Sequence, residues 1–256
     1  MFLRLCSRAP FIIMDSFSNA VNLIIQLSIL LIEVLIINKN RFALTHFSSM
    51  NYPDHIITIG QFEEYSLKEK NSLFTGQVFH CESESEVDEI LKSVKKKYYD
   101  ATHHCFAYKL IDEKIKYSDD GEPTGTAGIR ILNAIEHFNL LNVLVVVIRY
   151  FGGTKLGVGL LGKSYYSAAF SVLENAKKTD KTLYNEIKIL SDFEHISQVH
   201  RIVSNVNGII EDIKYEEKVN FNCLIKPDEI DNISKKLTAI SKGQISIIST
   251  FANRYK

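Results

Sequence analysis

The sequence predicts an α+β protein made of two successive units, the second with a ferredoxin-like order of elements, and three observations carry that prediction. Apolar residues recur at alternating spacing in some stretches and at helical spacing in others. Asn142 to Ile148, NVLVVVI, is almost wholly β-branched and apolar, the signature of a strand buried on both faces. Beyond a polar run at Lys177 to Thr182, KKTDKT, the pattern restarts in the order β-α-β-β-α-β, the split βαβ arrangement.

Taken in order, Ser72 to His80 (SLFTGQVFH) reads as a strand. Glu84 to Tyr98 reads as a helix, with Val87, Ile90, Leu91, Val94 and Tyr98 on one face. Ser83 with Glu86 three residues on is a capping-box start. Strands follow at His103 to Ile111 and Lys114 to Ser118, then a Gly-rich turn, a helix over Gly128 to Phe138, the apolar strand, and a helix over Leu160 to Lys177. In the tail the spacing predicts a strand over Leu183 to Phe193 and a helix over His195 to Val206. A hairpin of Gly208 to Glu216 with Lys218 to Lys226 comes next, then a helix over Pro227 to Ser241 and a last strand over Gln244 to Phe251. Pro227 at a helix start and Gly243 after its end follow the usual asymmetry of helix termini. The expected domains are therefore residues 50–180 and 182–256.

Residues 1–49 are set apart. Ala20 to Ile37 approaches the length of a membrane span, but Asn22, Gln26 and Glu33 lie inside it. One ionisable group near mid-span costs about 2.5 to 3.5 kcal/mol, and no A-x-A-like site follows to mark a signal peptide. The reading taken is an extraneous extension with translation starting at Met50; a hydrophobic helix is the other reading, and a membrane is not expected as a partner.

Composition narrows the function. The 256 residues, 46% hydrophobic with 12 Tyr and 15 Phe, suffice for a normal core. With 30 basic and 30 acidic side chains, no bulk field draws a polyanion, so any such partner must be met by a local surface. Cys6, Cys81, Cys105 and Cys223 show no C-x-x-C pairing, which suits reduced thiols in a cytoplasmic protein.

Of the 12 glycines, eight fall between Gly121 and Gly162, in two loops flanking the apolar strand. The first is SDDGEPTGTAG, Ser118 to Gly128. Here the amides of Gly125, Thr126 and Gly128 could lie bare at a helix start and receive an anion, or the segment could be no more than a capped turn. Its acids, Asp119, Asp120 and Glu122, are candidates for holding Mg²⁺ or are simply solvated. The second is RYFGGTKLG, Arg149 to Gly157. Between Asn142 and Lys163 stand three cations, Arg149, Lys155 and Lys163, and no acid. With Gly152 and Gly153 they could hold phosphates while Tyr150 or Phe151 stacks on a base. Equally, Arg149 could pair with an acid of the first loop and pin the two together.

Two tempting motifs are set aside. GVGLLGKS, Gly157 to Ser164, spells a P-loop, but RYFGGTKL intervenes between the strand and Gly157, and Leu160 and Leu161 crowd the place of the phosphates. His103, His104 and Cys105 lack partners at zinc spacing; His103 and Cys105 share a strand face, so a Cys-His nucleophile pair stays open. His195 and His200 read as helix-surface residues.

SDDGEPTGTAG, NVLVVVIRYFGGTKLG and ATHHCFAY (Ala101 to Tyr108) together resemble the YigZ and IMPACT family over about Glu64 to Lys177. The tail resembles the second domain of bacterial YigZ-type members. The resemblance implies a first domain similar to the second domain of a small-subunit ribosomal protein, and a tail similar to a domain of elongation factor G. Both imply RNA or the ribosome as partner. Eukaryotic IMPACT-type members regulate translation with a different extra domain, so their mechanism is not carried over. The chain departs from the family's G-R-P-I-L at Gly128-Ile129-Arg130-Ile131-Leu132, and Lys163 stands where the family has arginine.

The function expected is thus a non-enzymatic, translation-related factor binding RNA, the ribosome or a phosphate-bearing ligand through the Gly-rich basic loop, without a cofactor, metal or catalytic residue. The alternatives are a Mg²⁺-dependent enzyme acting on a small phosphorylated molecule and a protein-interaction module. Nothing in the chain specifies an oligomeric state.

Overall fold

The apolar strand occupies the centre of a five-stranded antiparallel sheet. The computed structural model describes residues 52–256, apart from residues 113 and 243 and the side chains of residues 249–251. The expected extension over residues 1–49 and its apolar run lie outside the described residues. No helix among the described residues is long and apolar enough to cross a membrane.

The sheet runs β2 (Glu63–Glu69), β3 (Ser72–His80), β6 (Val143–Tyr150), β4 (His103–Lys109), β5 (Ile115–Ser118). Side chains of β6 alternate between two cores. Val143, Val145 and Val147 pack under α2 (Gly128–His137) and α3 (Val158–Asn175), while Leu144, Val146 and Ile148 pack under α1 (Glu84–Lys97) on the other face. Helices on both faces explain why the strand reads as one apolar run. α1 starts as its capping signal predicts, with Ser83 Oγ accepting from the Glu86 amide, although the Glu86 carboxylate reaches back to the amide of Glu82 rather than of Ser83. α3 lies close on the sheet: a Cβ at Gly76 of β3 would come within 2.7 Å of the Ala168 carbonyl oxygen, so only glycine fits there.

The second sheet is ferredoxin-like. β7 (Lys178–Ser191) lies between β10 (Ser246–Tyr255) and β9 (Val219–Ile225), with β8 (Ile209–Tyr215) beyond β9. α4 (Ile196–Asn205) and α5 (Ile230–Ser241) cover one face, closing a core around Ile187, Val203, Phe221 and Leu237. The whole is α+β.

The polar run Lys177 to Thr182, after which the sequence pattern restarts, is from Lys178 on the first part of β7. Charged side chains are tolerated because backbone pairing with β1 (His55–Ile59) supplies the strand, with His55 opposite Thr182 and Ile59 opposite Lys178. β1 itself, unmarked in the sequence reading, joins the second sheet by pairing and the first core by burial. Ile59 is buried there, and the hydroxyl of Thr58 reaches the Asn142 carbonyl and His80.

Candidate functional site

The two Gly-rich loops meet at one edge of the first sheet, and Arg149 joins them. At the end of β6 it lies on the Val143, Val145, Val147 face, so its side chain enters the core beneath α3. There it is 5% exposed, over the ring of Phe74 and near that of Phe151. Its Nη1 donates to Glu122 Oε1 at 2.5 Å, and Nη2 lies 3.4 Å from Ser72 Oγ. The Glu122 side chain is itself only 4% accessible, which makes this a buried ion pair. Tyr165 donates to the same Oε1 at 2.8 Å, and burial first, then Cys105 and Glu122, raise its phenol far above the ordinary range. The pinning role is therefore the one Arg149 takes, and the corrected reading removes it from the phosphate-contacting set.

The first loop is corrected as well. Its amides are not bare: Asp119 Oδ1 accepts from Ala127 and Gly128 at 2.9 and 2.8 Å, and Oδ2 from Gly125 at 2.9 Å. The anion expected at this helix start is the protein's own carboxylate. Thr126 is buried, with both its amide and its hydroxyl on the Pro123 carbonyl. Asp120 accepts from the His104 amide at 2.6 Å and from Lys95 at 3.2 Å. Burial opposes its ionisation, but the His104 amide and Lys95 outweigh burial and hold its pKa below the ordinary value. With Asp119 capping a helix, Asp120 bonded to β4 and α1 and Glu122 paired to Arg149, the three acids do not converge. No group of three or more His, Cys, Asp and Glu suited to a metal exists among the described residues.

Cys105 is fully buried, its thiol donating to the Asp119 carbonyl, and burial first pushes it up to about 12. It is no nucleophile in that state, so the Cys-His pair is excluded. Tyr150 is tied through its hydroxyl to Asp100. The Gly152 amide donates to Ser72 Oγ, and a Cβ there would come within 2.1 Å of the Asn71 backbone, so this glycine serves packing. GVGLLGKS is no P-loop: Val158 onward is α3, and Lys163 stands on the helix surface.

What stays open to solvent lies around the start of α3. Gly157 caps it with φ 77° and no side-chain bond, so the first-turn amides keep their donors. On one side is a cleft of about 400 Å³ lined by Arg130, Asn133, Gly159, Gly162, Lys163 and Tyr166, with no acid among its walls. On the other is a cavity of about 470 Å³. Its inner end holds Glu122, Arg149 and His103, its walls Leu156, Leu161 and Pro123, its rim Phe151, Lys155 and Val158. Val158 borders both. Arg130, Lys155 and Lys163 are exposed and form no ion pair among the described residues. Of the predicted basic residues the structure thus brings Lys155 and Lys163 to one helix start, adds Arg130, and buries Arg149. His103, read at first only as a doubtful ligand, belongs to the cavity. Its Nδ1 lies 2.8 Å from the Asp120 carbonyl, which can only accept, and Nε2 lies 3.8 Å from Glu122.

Comparison with known proteins bears on the same segments. Residues 70–173 match the Impact N-terminal domain, and residues 191–244 match a domain of unknown function, DUF1949. The IMPACT family member YvyE of Bacillus subtilis is 28% identical over 192 residues, covering 74% of this chain and 88% of the relative. An IMPACT family member from the pol 5' region of Thermus thermophilus is 34% identical over 146 residues, 57% of this chain and 80% of the relative. A crystal structure described as that of an hypothetical protein aligns with TM-score 0.58 at 24% identity. It spans 77% of this chain and 97% of its own, and shows a shared fold.

Proposed function

Since the chain belongs to the IMPACT family, in the two-domain form of its bacterial members, we propose that it is a non-enzymatic, translation-related accessory factor that binds RNA. The observation that carries the reading is the start of α3. Three unpaired cations, Arg130, Lys155 and Lys163, surround uncapped amides and flank a cleft with no acidic wall. Free amides and flexible cations fit phosphate oxygens, which position an RNA strand without reading its sequence. Gly159 supports the same reading. A Cβ there would meet nothing within 4 Å, so packing does not demand glycine at a helical position where it is destabilising, and a backbone can approach closely. The Mg²⁺-enzyme alternative loses its geometric basis, because the three acids of the first loop face three different partners.

Three phosphate contacts predict a binding constant for single-stranded RNA that falls with salt at a log–log slope of about −2, from about −0.7 per contact. Lys155→Ala and Lys163→Ala each flatten the slope by about 0.7 and weaken binding alike for all sequences. Fluorescence anisotropy with labelled oligoribonucleotides across a salt series, beside co-sedimentation with ribosomes, measures this. Unchanged slopes in both variants, or no binding at low salt, reject the site.

A further inference from the structure

The cavity beside the phosphate ledge carries an inference that rests on the RNA reading and extends it. We propose that it is a pocket for a single unstacked nucleotide whose base bears an exocyclic amino group. Its volume of about 470 Å³ falls within the range of small-ligand sites, roughly 300–1,000 Å³.

Three features of its lining define the occupant. At the inner end, the hydrogen bonds to the Glu122 carboxylate fall on Oε1, from Arg149 and Tyr165, with His103 Nε2 nearest to the same oxygen. Oε2 has no hydrogen-bond partner among the described residues, although the side chain is 4% accessible and lines the cavity. Arg149 Nε, at the same end, is buried without a partner, so the site offers an acceptor beside a donor. A cationic donor would lie beside the buried Arg149 guanidinium, so a neutral N–H is the fitting one, as on an amino-bearing base edge. Next come apolar walls, Leu156, Leu161 and Pro123, with the ring of Phe151 at the rim, 46% exposed and able to stack on a base. At the mouth, Lys155 and the first amides of α3 stand where the phosphate of that nucleotide would lie. Donor, flat ring and anion together are the chemistry of a nucleotide, free or within an RNA strand.

The test is calorimetric titration of the full chain with AMP, GMP and CMP, with UMP and ribose 5-phosphate as controls. Saturable binding of the amino-bearing nucleotides, at least tenfold tighter than of the controls, is expected. Phe151→Ala, at an exposed position, weakens it about tenfold. Glu122→Gln abolishes the preference over UMP; because it disturbs a buried pair, its folding is checked by circular dichroism, and Phe151→Ala stands as the independent variant. Lys163→Ala, on the other cleft, leaves mononucleotide affinity unchanged while weakening RNA. Competition by an oligoribonucleotide identifies an RNA residue as the natural occupant, and absence of competition a free nucleotide. If ribose 5-phosphate binds as well as AMP, or if no nucleotide binds while RNA does, the pocket proposal falls and the RNA reading stands; if neither binds, both fall.

Discussion

Glu122 and Arg149 show what a single buried pair demands. Each side chain is almost wholly removed from water, so each relies on the other to offset its lost hydration. Removing one partner strands the remaining charge: Arg149→Met or Glu122→Gln should cost about 3 to 5 kcal/mol, and the double variant clearly less than the sum. Urea unfolding of the two singles and the double gives the coupling energy; additivity within about 0.5 kcal/mol would contradict the pairing. That RYFGG and DGEP belong to one locus was visible in the glycine distribution. Which way Arg149 points was not, since it depends on the strand face it shares with Val147 and on Phe74 and Tyr165 lying across from it. Lys155 and Lys163 were legible because both stand exposed in a stretch that carries cations and no acid.

At the scale of elements, the turn between β5 and α2 is organised by carboxylates. Asp119 caps the helix through three amides and Asp120 bonds the His104 amide of β4. Because the folded pKa of Asp120 is lowered, its contribution is full above the ordinary value of 3.8 and is lost as pH falls through the folded value. Asp120→Asn should therefore destabilise by about 1 kcal/mol near neutrality, discounted for partial exposure, and the gap from wild type should close as pH falls below 3.8 and through the folded value. Thermal unfolding of both proteins at the two acidities decides it; a gap independent of pH would refute the account. The helices and inner strands were readable because burial on one face imposes period 3.6, and burial on both makes an apolar run. β2, EEYSLKE, was not: it is an edge strand, mostly exposed, and its charged residues carry no alternation. The first half of β7 escaped for a related reason, since β1 holds it by backbone pairing and not by side chains.

Across the whole molecule, charge and connectivity set what the fold can do. Thirty cations balance thirty anions, so any attraction to a polyanion has to be local and fades within about 8 Å at physiological salt. Composition showed that balance, and only the fold could place three cations and a cavity around one helix start. β7 has a further consequence. It runs without interruption from pairing with β1 to pairing with β9 and β10, and its backbone is hydrogen-bonded along both stretches. A protease needs a stretch of chain it can draw out of the fold, and between the two cores it meets ladder instead of hinge. Limited trypsin digestion of the native protein should spare Lys178, Lys181 and Lys188, so that the two cores stay on one fragment by denaturing electrophoresis. Early release of two separate core fragments would show that the shared strand opens more readily than its pairing implies.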